Sequence, residues 1–68
     1  MVNIGKIKGL MAENNIKKFE LAKVLGINEN TLANKLREKS PFLATELKTI
    51  ADFFKVDINI LFKEKDVA

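Results

Sequence analysis

The chain contains no cysteine, histidine, tryptophan or tyrosine, and it has a single proline. Without cysteine and histidine it cannot build a zinc finger, a disulfide framework, a thiol nucleophile or a Ser-His-Asp triad. The remaining aromatic residue, phenylalanine, is not placed as in modules that stack RNA bases on exposed aromatic side chains. The sequence therefore predicts a protein that is not an enzyme, that needs no cofactor or metal, and that has no small-molecule substrate.

Long apolar runs are also absent. No segment approaches the ~20 apolar residues of a membrane-spanning helix, and the N-terminal segment lacks the apolar core of a signal peptide. These absences predict a cytoplasmic protein without a membrane partner. The chain has 68 residues, of which 47% are hydrophobic and 31% charged, and this composition is typical of one small folded domain. The pattern assigns residues 1–62 to that domain and residues 63–68 to a short C-terminal tail.

Apolar residues recur at helical spacing, and no segment sustains the period-two alternation of a strand. The predicted helices cover about residues 3–14, 17 or 18 to 25, 28–38 and 45–54. Asp57 is predicted to cap a last short helix whose Leu61 and Phe62 pack inward. The buried stripe of the fourth helix is predicted to contain Leu43, Leu47, Ile50, Ala51 and Phe54. The predicted fold class is all-α, with five short helices.

Residues 18–36 are the most informative part of the chain. They read as two amphipathic helices joined at Gly26 by a connection so short that the helices must cross steeply, as in a helix-turn-helix. Residues 17–39 contain six basic and three acidic residues, and thus the whole net charge of +3. A positive potential above a polar helix is what phosphate binding requires.

The order and spacing of Glu20-Leu21-Ala22, Gly26-Ile27 and Thr31-Leu32 resemble the lambda-repressor-like helix-turn-helix family of phage repressors, Cro proteins and their bacterial relatives. The resemblance extends over about residues 4–62. It implies a compact five-helix domain in which helices 2 and 3 form the helix-turn-helix. It also implies that the recognition helix, residues 28–38, enters the major groove of double-stranded DNA. The short chain is most similar to a Cro-type phage regulator.

Residue by residue, the resemblance implies two sets of DNA contacts. The implied base-reading residues are Glu29, Asn30, Thr31 and Asn34. The implied phosphate contacts are Lys17, Lys18, Asn28, Lys35, Arg37, Lys39 and Ser40. Asparagine pairs with adenine, whereas Glu29 either accepts from cytosine or serves only the helix dipole. Lys17 stands where the family has a capping residue, so we expect the cap of helix 2 to be lost or moved to Asn15.

Two functions stay open at this level. One is a sequence-specific transcriptional regulator that binds an operator as a homodimer, through half-sites roughly 34 Å apart. The alternative is a protein-interaction module on the same fold, such as an antirepressor or an antitoxin-like adaptor. Phe19 and Phe53 bear on the choice, since they are either core residues or part of a surface for a partner. DNA binding should weaken steeply with salt, whereas an apolar protein interface should not.

Overall fold

The computed structural model describes residues 2–62. The elements in chain order are α1 (Ile4–Glu13), α2 (Lys18–Leu25), α3 (Glu29–Leu36), α4 (Ala44–Phe54) and a 3-10 helix (Ile58–Leu61). The all-helical class is confirmed, but the fifth element is a single 3-10 turn and not a fifth α-helix. The predicted tail, residues 63–68, lies outside the described residues. Between residues 2 and 62 no helix is long and apolar enough to cross a membrane.

Each helical element contributes one fully buried side chain to a common core. These side chains are Ile7, Leu21, Leu32, Ile50 and Leu61. Burial of one side of every helix is the reason why the helical spacing of apolar residues predicted the elements. Because all elements share this core, the position of α3 depends on the packing of the other four.

All four α-helices end with one residue in the left-handed αL conformation. These residues are Asn15, Gly26, Glu38 and Lys55, with φ values of 58°, 73°, 63° and 58°. In each case the next backbone N–H donates to the carbonyl five residues earlier, at 2.8 to 3.0 Å, which is the Schellman motif. After α1, α2 and α4 that next residue is apolar and packs against the core, as the burial of Ile16, Ile27 and Val56 shows. The motif turns the chain sharply and directs the following segment back onto the domain.

The starts of α2 and α4 have no side-chain cap, since Lys17 and Leu43 precede them. Instead the carboxylates of Glu20 and Glu46 reach back and accept the N–H groups of these two residues, both at 2.8 Å. The cap of α2 has therefore not moved to Asn15, which lies in the turn after α1. The expectation that Leu43 belongs to the buried stripe of α4 is wrong, because it precedes the helix and is 57% exposed.

The two ends of the described segment are held together. Val2 and Phe62 form an isolated antiparallel bridge, and the Asn3 N–H donates to the Leu61 carbonyl at 2.7 Å. Leu61 is buried as predicted, but Phe62 is exposed because side chains alternate in direction along the extended backbone of the bridge. Asp57 caps the 3-10 helix as predicted, with its side chain accepting a backbone N–H at 2.8 Å.

A buried ion pair connects α3 to α4. The Nζ atom of Lys35 lies 2.7 Å from Oε1 of Glu46, and each side chain is 9% exposed. The ammonium also donates to the Pro41 carbonyl at 3.2 Å and lies 5.9 Å from the ring centroid of Phe42. The same Glu46 oxygen accepts the Leu43 N–H. Buried charges are tolerated when they are paired and hydrogen-bonded in this way, so Lys35 anchors α3 to the start of α4.

Replacing Lys35 with Met should lower the free energy of unfolding by about 3–5 kcal/mol, because the buried Glu46 carboxylate loses its partner. Urea denaturation followed by circular dichroism measures the change. Adding Glu46→Gln should recover part of the loss, since an amide oxygen still accepts the Leu43 N–H without a charge. Lys48→Met is the control, because the Lys48–Asp52 pair is 3.7 Å long and 72% exposed, and its loss should cost under about 1 kcal/mol. Equal losses for the two lysine variants would contradict the anchoring role.

Candidate nucleic-acid interface

The connection between α2 and α3 is short and its geometry is set by Gly26. This residue has φ 73°, and no atom lies within 4 Å of the position that a Cβ would take. Glycine is therefore favoured here by the backbone conformation and not by lack of space. The Ile27 N–H donates to the Ala22 carbonyl at 3.0 Å and closes the turn. The predicted break at Gly26 is confirmed, and only residues 26–28 separate the two helices.

α3 has one buried side and one exposed side. Leu32 and Leu36 pack in the core. Asn30, Asn34 and Arg37 are exposed, and their spacing of four and three residues places them on one side of the helix, away from the leucines. The amides and the guanidinium are thus presented together by a helix whose other side is held in the domain.

The start of α3 is organised by Asn28. Its Oδ1 atom accepts the Thr31 N–H at 2.8 Å and the Thr31 hydroxyl at 2.9 Å, which makes it the N-cap. The exposed Glu29 follows in the first turn, where a carboxylate is favourable beside the helix dipole. Since both hydrogen bonds from Thr31 go to Oδ1, the side-chain NH₂ group of Asn28 stays available as a donor. Such a donor suits a phosphate oxygen.

The structure brings the four predicted base-reading residues together on α3. Glu29, Asn30 and Asn34 are exposed, whereas Thr31 is half-buried. The Thr31 hydroxyl already donates its hydrogen bond to Asn28, so its oxygen can only accept a hydrogen bond from a ligand. Contact between these four residues and bases stays a prediction.

Six of the seven predicted phosphate contacts lie at the surface, near the start of α2 and near both ends of α3. The exposed ones are Lys17, Lys18, Asn28, Arg37 and Lys39, and Ser40 is half-buried. Such a basic margin around a polar helix suits an anionic ligand. Across the part of the chain that the structure describes, no group of three or more acidic, histidine or cysteine side chains could hold a metal ion.

Lys35 is the exception, and the expectation that it contacts phosphate is wrong for this structure. Its side chain is buried, and its ammonium is neutralised by Glu46 at 2.7 Å. The positive potential of residues 17–39 therefore comes from the other basic side chains. The burial could have been inferred from position, because Lys35 lies between Leu32 and Leu36 on the inward side of the helix.

Lys39 departs from the pattern of the other helix ends. It occupies the position after the αL residue, and its N–H donates to the Asn34 carbonyl at 2.8 Å. At the same position after α1, α2 and α4 the chain has a partly buried apolar residue, but Lys39 is charged and exposed. Departures from a local rule that the rest of a fold obeys are expected at functional positions, and this one adds a cation at the C-terminal end of α3.

Two residues of the site escaped prediction from the sequence. Ala33 is half-buried and lies between the exposed residues of α3, at spacings of three and four from Asn30 and Arg37. The helical spacing was a sufficient signal for it. Glu46 is the buried partner of Lys35, eleven residues away along the chain. Nothing local indicated that pairing, because it depends on how α4 folds back on α3.

A second surface feature lies between α2 and α4. Phe19 is 56% exposed, and Val24 and Phe53 are each 39% exposed. Together with Ile16, Glu20 and Lys23 they line an apolar groove of about 460 Å³. Phe19 and Phe53 are thus both surface residues. Phe54, whose ring meets that of Phe53 edge-to-face with the centroids 5.1 Å apart, packs against the core.

Two helices that cross at a tight αL turn, the second with a polar outer side, form a helix-turn-helix domain. A family model described as the Cro/C1-type HTH DNA-binding domain matches residues 6–63. The chain therefore belongs to the Cro/C1-type helix-turn-helix family, a family of DNA-binding regulators, and the resemblance seen in the sequence is confirmed. Comparisons with curated proteins and with solved structures found no match.

Asn28→Ala should lower the free energy of unfolding by about 1 kcal/mol, because the first turn of α3 loses its side-chain cap. Asn28→Asp is the matched control, since its carboxylate still accepts the Thr31 N–H and is favourable beside the helix dipole. Urea denaturation of the three proteins provides the comparison. An alanine variant as stable as the wild type would show that the cap does not support α3.

Proposed function

We propose that the protein is a sequence-specific transcriptional regulator that binds double-stranded DNA with α3 in the major groove. The observation that carries the proposal is the division of α3 into a buried side and an exposed side that presents Asn30, Asn34 and Arg37. The major groove of B-DNA admits an α-helix, and side chains on its outer face then reach base edges. Membership of the Cro/C1-type family supports the same docking.

The proposed contacts divide by role. Base edges are read by Glu29, Asn30, Thr31 and Asn34, with Thr31 acting as an acceptor. Phosphates are contacted by the surface residues Lys17, Lys18, Asn28, Arg37, Lys39 and Ser40. Phosphate contacts fix the register of the protein on the duplex and supply affinity, whereas base contacts supply specificity. This role needs no catalysis and no cofactor.

On its operator the protein acts as a homodimer. Two copies of α3 would enter successive major grooves at half-sites roughly 34 Å apart, so the operator would be a palindrome. We propose that occupation of such a site beside a promoter represses transcription. The family supports a Cro-type repressor of phage or prophage origin, acting in the cytoplasm beside the DNA.

Selection of bound duplexes from a random DNA pool at near-physiological salt tests the proposal. We expect enrichment of a palindrome with two half-sites. A single short half-site would overturn the dimer but keep the sequence-specific regulator. Weak, salt-sensitive retention without any enriched motif would overturn sequence-specific binding.

Arg37→Gln and Lys18→Gln should each weaken binding to cognate and unrelated duplexes alike. Each lost phosphate contact should reduce the slope of log K against log salt by about 0.9. Fluorescence anisotropy over a series of salt concentrations measures both quantities. Lys55→Gln is the control, because Lys55 is an exposed lysine outside residues 17–39 and is not among the proposed phosphate contacts, and its slope should not change. If Arg37→Gln weakens only the cognate duplex, Arg37 reads a base instead of a phosphate.

The groove between α2 and α4 favours a second candidate function, that of a protein-interaction module. Exposed aromatic side chains are enriched in protein interfaces, and Phe19 and Phe53 both line this groove. Glu20 and Lys23 at its margin would add polar contacts around an apolar centre. None of the residues that line the groove belongs to α3.

Phe19→Ser tests whether the groove takes part in DNA binding. For a DNA reader, the change should leave DNA affinity within about twofold and stability within about 0.5 kcal/mol, since surface substitutions have small effects. DNA titration and urea denaturation measure these values. A large loss of DNA affinity in a stable Phe19→Ser variant would mean that the groove takes part in DNA binding. Retention on DNA that is insensitive to salt would argue against phosphate contacts altogether.

A further inference from the structure

Three residues of α3 and its C-cap, Arg37, lie along the exposed side of the helix. Asn30, Ala33, Asn34 and Arg37 follow the spacing i, i+3, i+4 and i+7, which places them in one stripe along the helix. Asn30, Asn34 and Arg37 are exposed and Ala33 is half-buried. Ala33 is the one apolar side chain among the four and also the shortest, and it directly precedes Asn34 in the sequence.

The residues beside this stripe are restricted by contacts within the domain. Thr31 donates its hydroxyl proton to Asn28 at 2.9 Å. Lys35 is 8% exposed and bonded to Glu46 and Pro41. Neither can donate a hydrogen bond to a base without breaking a contact that supports the helix. The amide donors of the readout are thereby those of Asn30 and Asn34, with the Ala33 methyl group beside them and Arg37 at the C-terminal end, while Glu29 and Thr31 offer acceptors.

The chemistry of these groups selects particular bases. A carboxamide can form a bidentate pair with adenine, in which its NH₂ group donates to N7 and its oxygen accepts from the N6 amino group. No other base offers this combination in the major groove. A methyl group on the reading helix packs well against the 5-methyl group of thymine. We infer that the operator half-site contains an adenine read by the Asn34 amide and a thymine whose 5-methyl group packs on Ala33. This inference rests on the proposed function and specifies its ligand.

The small size of Ala33 also matters for the approach of the helix. A side chain that ends at Cβ lets the backbone of α3 come close to the base edges, and the short Asn34 side chain needs that closeness. A longer apolar side chain at position 33 would hold the helix away from the groove floor. Ala33→Leu should therefore weaken binding to the selected duplex at least tenfold, although leucine is a good helix former and position 33 is not part of the buried core.

Atomic substitutions in the DNA test the inference on the selected duplex. Replacing each thymine in turn by deoxyuridine removes one methyl group and keeps base pairing. We expect one position per half-site at which the loss weakens wild-type binding about fourfold, the value for one buried methyl group. Replacing one adenine by 7-deazaadenine, which lacks the N7 acceptor, should weaken binding about tenfold.

Protein variants assign each effect to a residue. With Ala33→Gly the ratio of affinities for the thymine and deoxyuridine duplexes should fall to about one. Each ratio is measured on one protein preparation, so a change in stability cancels. The Asn34→Ala variant should bind the 7-deazaadenine duplex as tightly as it binds the unmodified duplex. Repeated selection with this variant should lose the adenine preference at that position. Asn34→Ala should retain normal urea denaturation, because its side chain is exposed.

The outcomes distinguish this inference from the function on which it rests. A selected motif with the thymine and adenine effects assigned to Ala33 and Asn34 would support it. A clear motif that is indifferent to both atomic substitutions, or whose sensitivities persist in the variants, would overturn the inference and leave the regulator intact. A pool without any enriched motif would overturn the proposed function itself.

Discussion

The orientation of α3 depends on one buried charge pair. The helix has eight residues and only two buried apolar side chains, Leu32 and Leu36, and so short a helix is not stable without tertiary contacts. The two leucines pack one side of the helix against the core, and Lys35 is the third buried side chain of the helix. The bonds from Lys35 to Glu46 and to the Pro41 carbonyl are directional. They add directional restraints to the packing of the leucines and so help to fix the direction in which the outer side of the helix faces.

The same pair links three parts of the chain. Glu46 accepts the Leu43 N–H and thereby begins α4, while its partnership with Lys35 holds the end of α3 and the connection between the helices. Successive residues of a helix are rotated by about 100° around its axis. Lys35 is therefore buried in the domain, whereas its neighbour Asn34 is exposed. The basic residues that flank α3 in the sequence, other than Lys35, are exposed, which suits an anionic ligand.

Much of the architecture was predictable because it arises from local physical chemistry. Helical spacing of apolar residues located all four α-helices, and Gly26 and Asp57 marked a turn and a cap through their own backbone and side-chain preferences. The errors were at places where local preference competes with a distant contact. Leu43 fits the period of α4, yet it precedes the helix and is exposed. The last element is a 3-10 turn, and directly after it the chain is extended at Phe62, where it pairs with Val2.

The sequence by itself determined the all-helical class, the position of the helix-turn-helix and the outward amides of α3, since each follows from the spacing of residues within one helix. It also determined where positive charge accumulates along the chain. Only the tertiary structure decided what each charge does. Lys35 and Lys39 are four residues apart and chemically identical, but α4 folds a carboxylate onto the first and leaves the second in solvent. Pairing between distant residues depends on the packing of whole helices, and this information is not present in any local pattern.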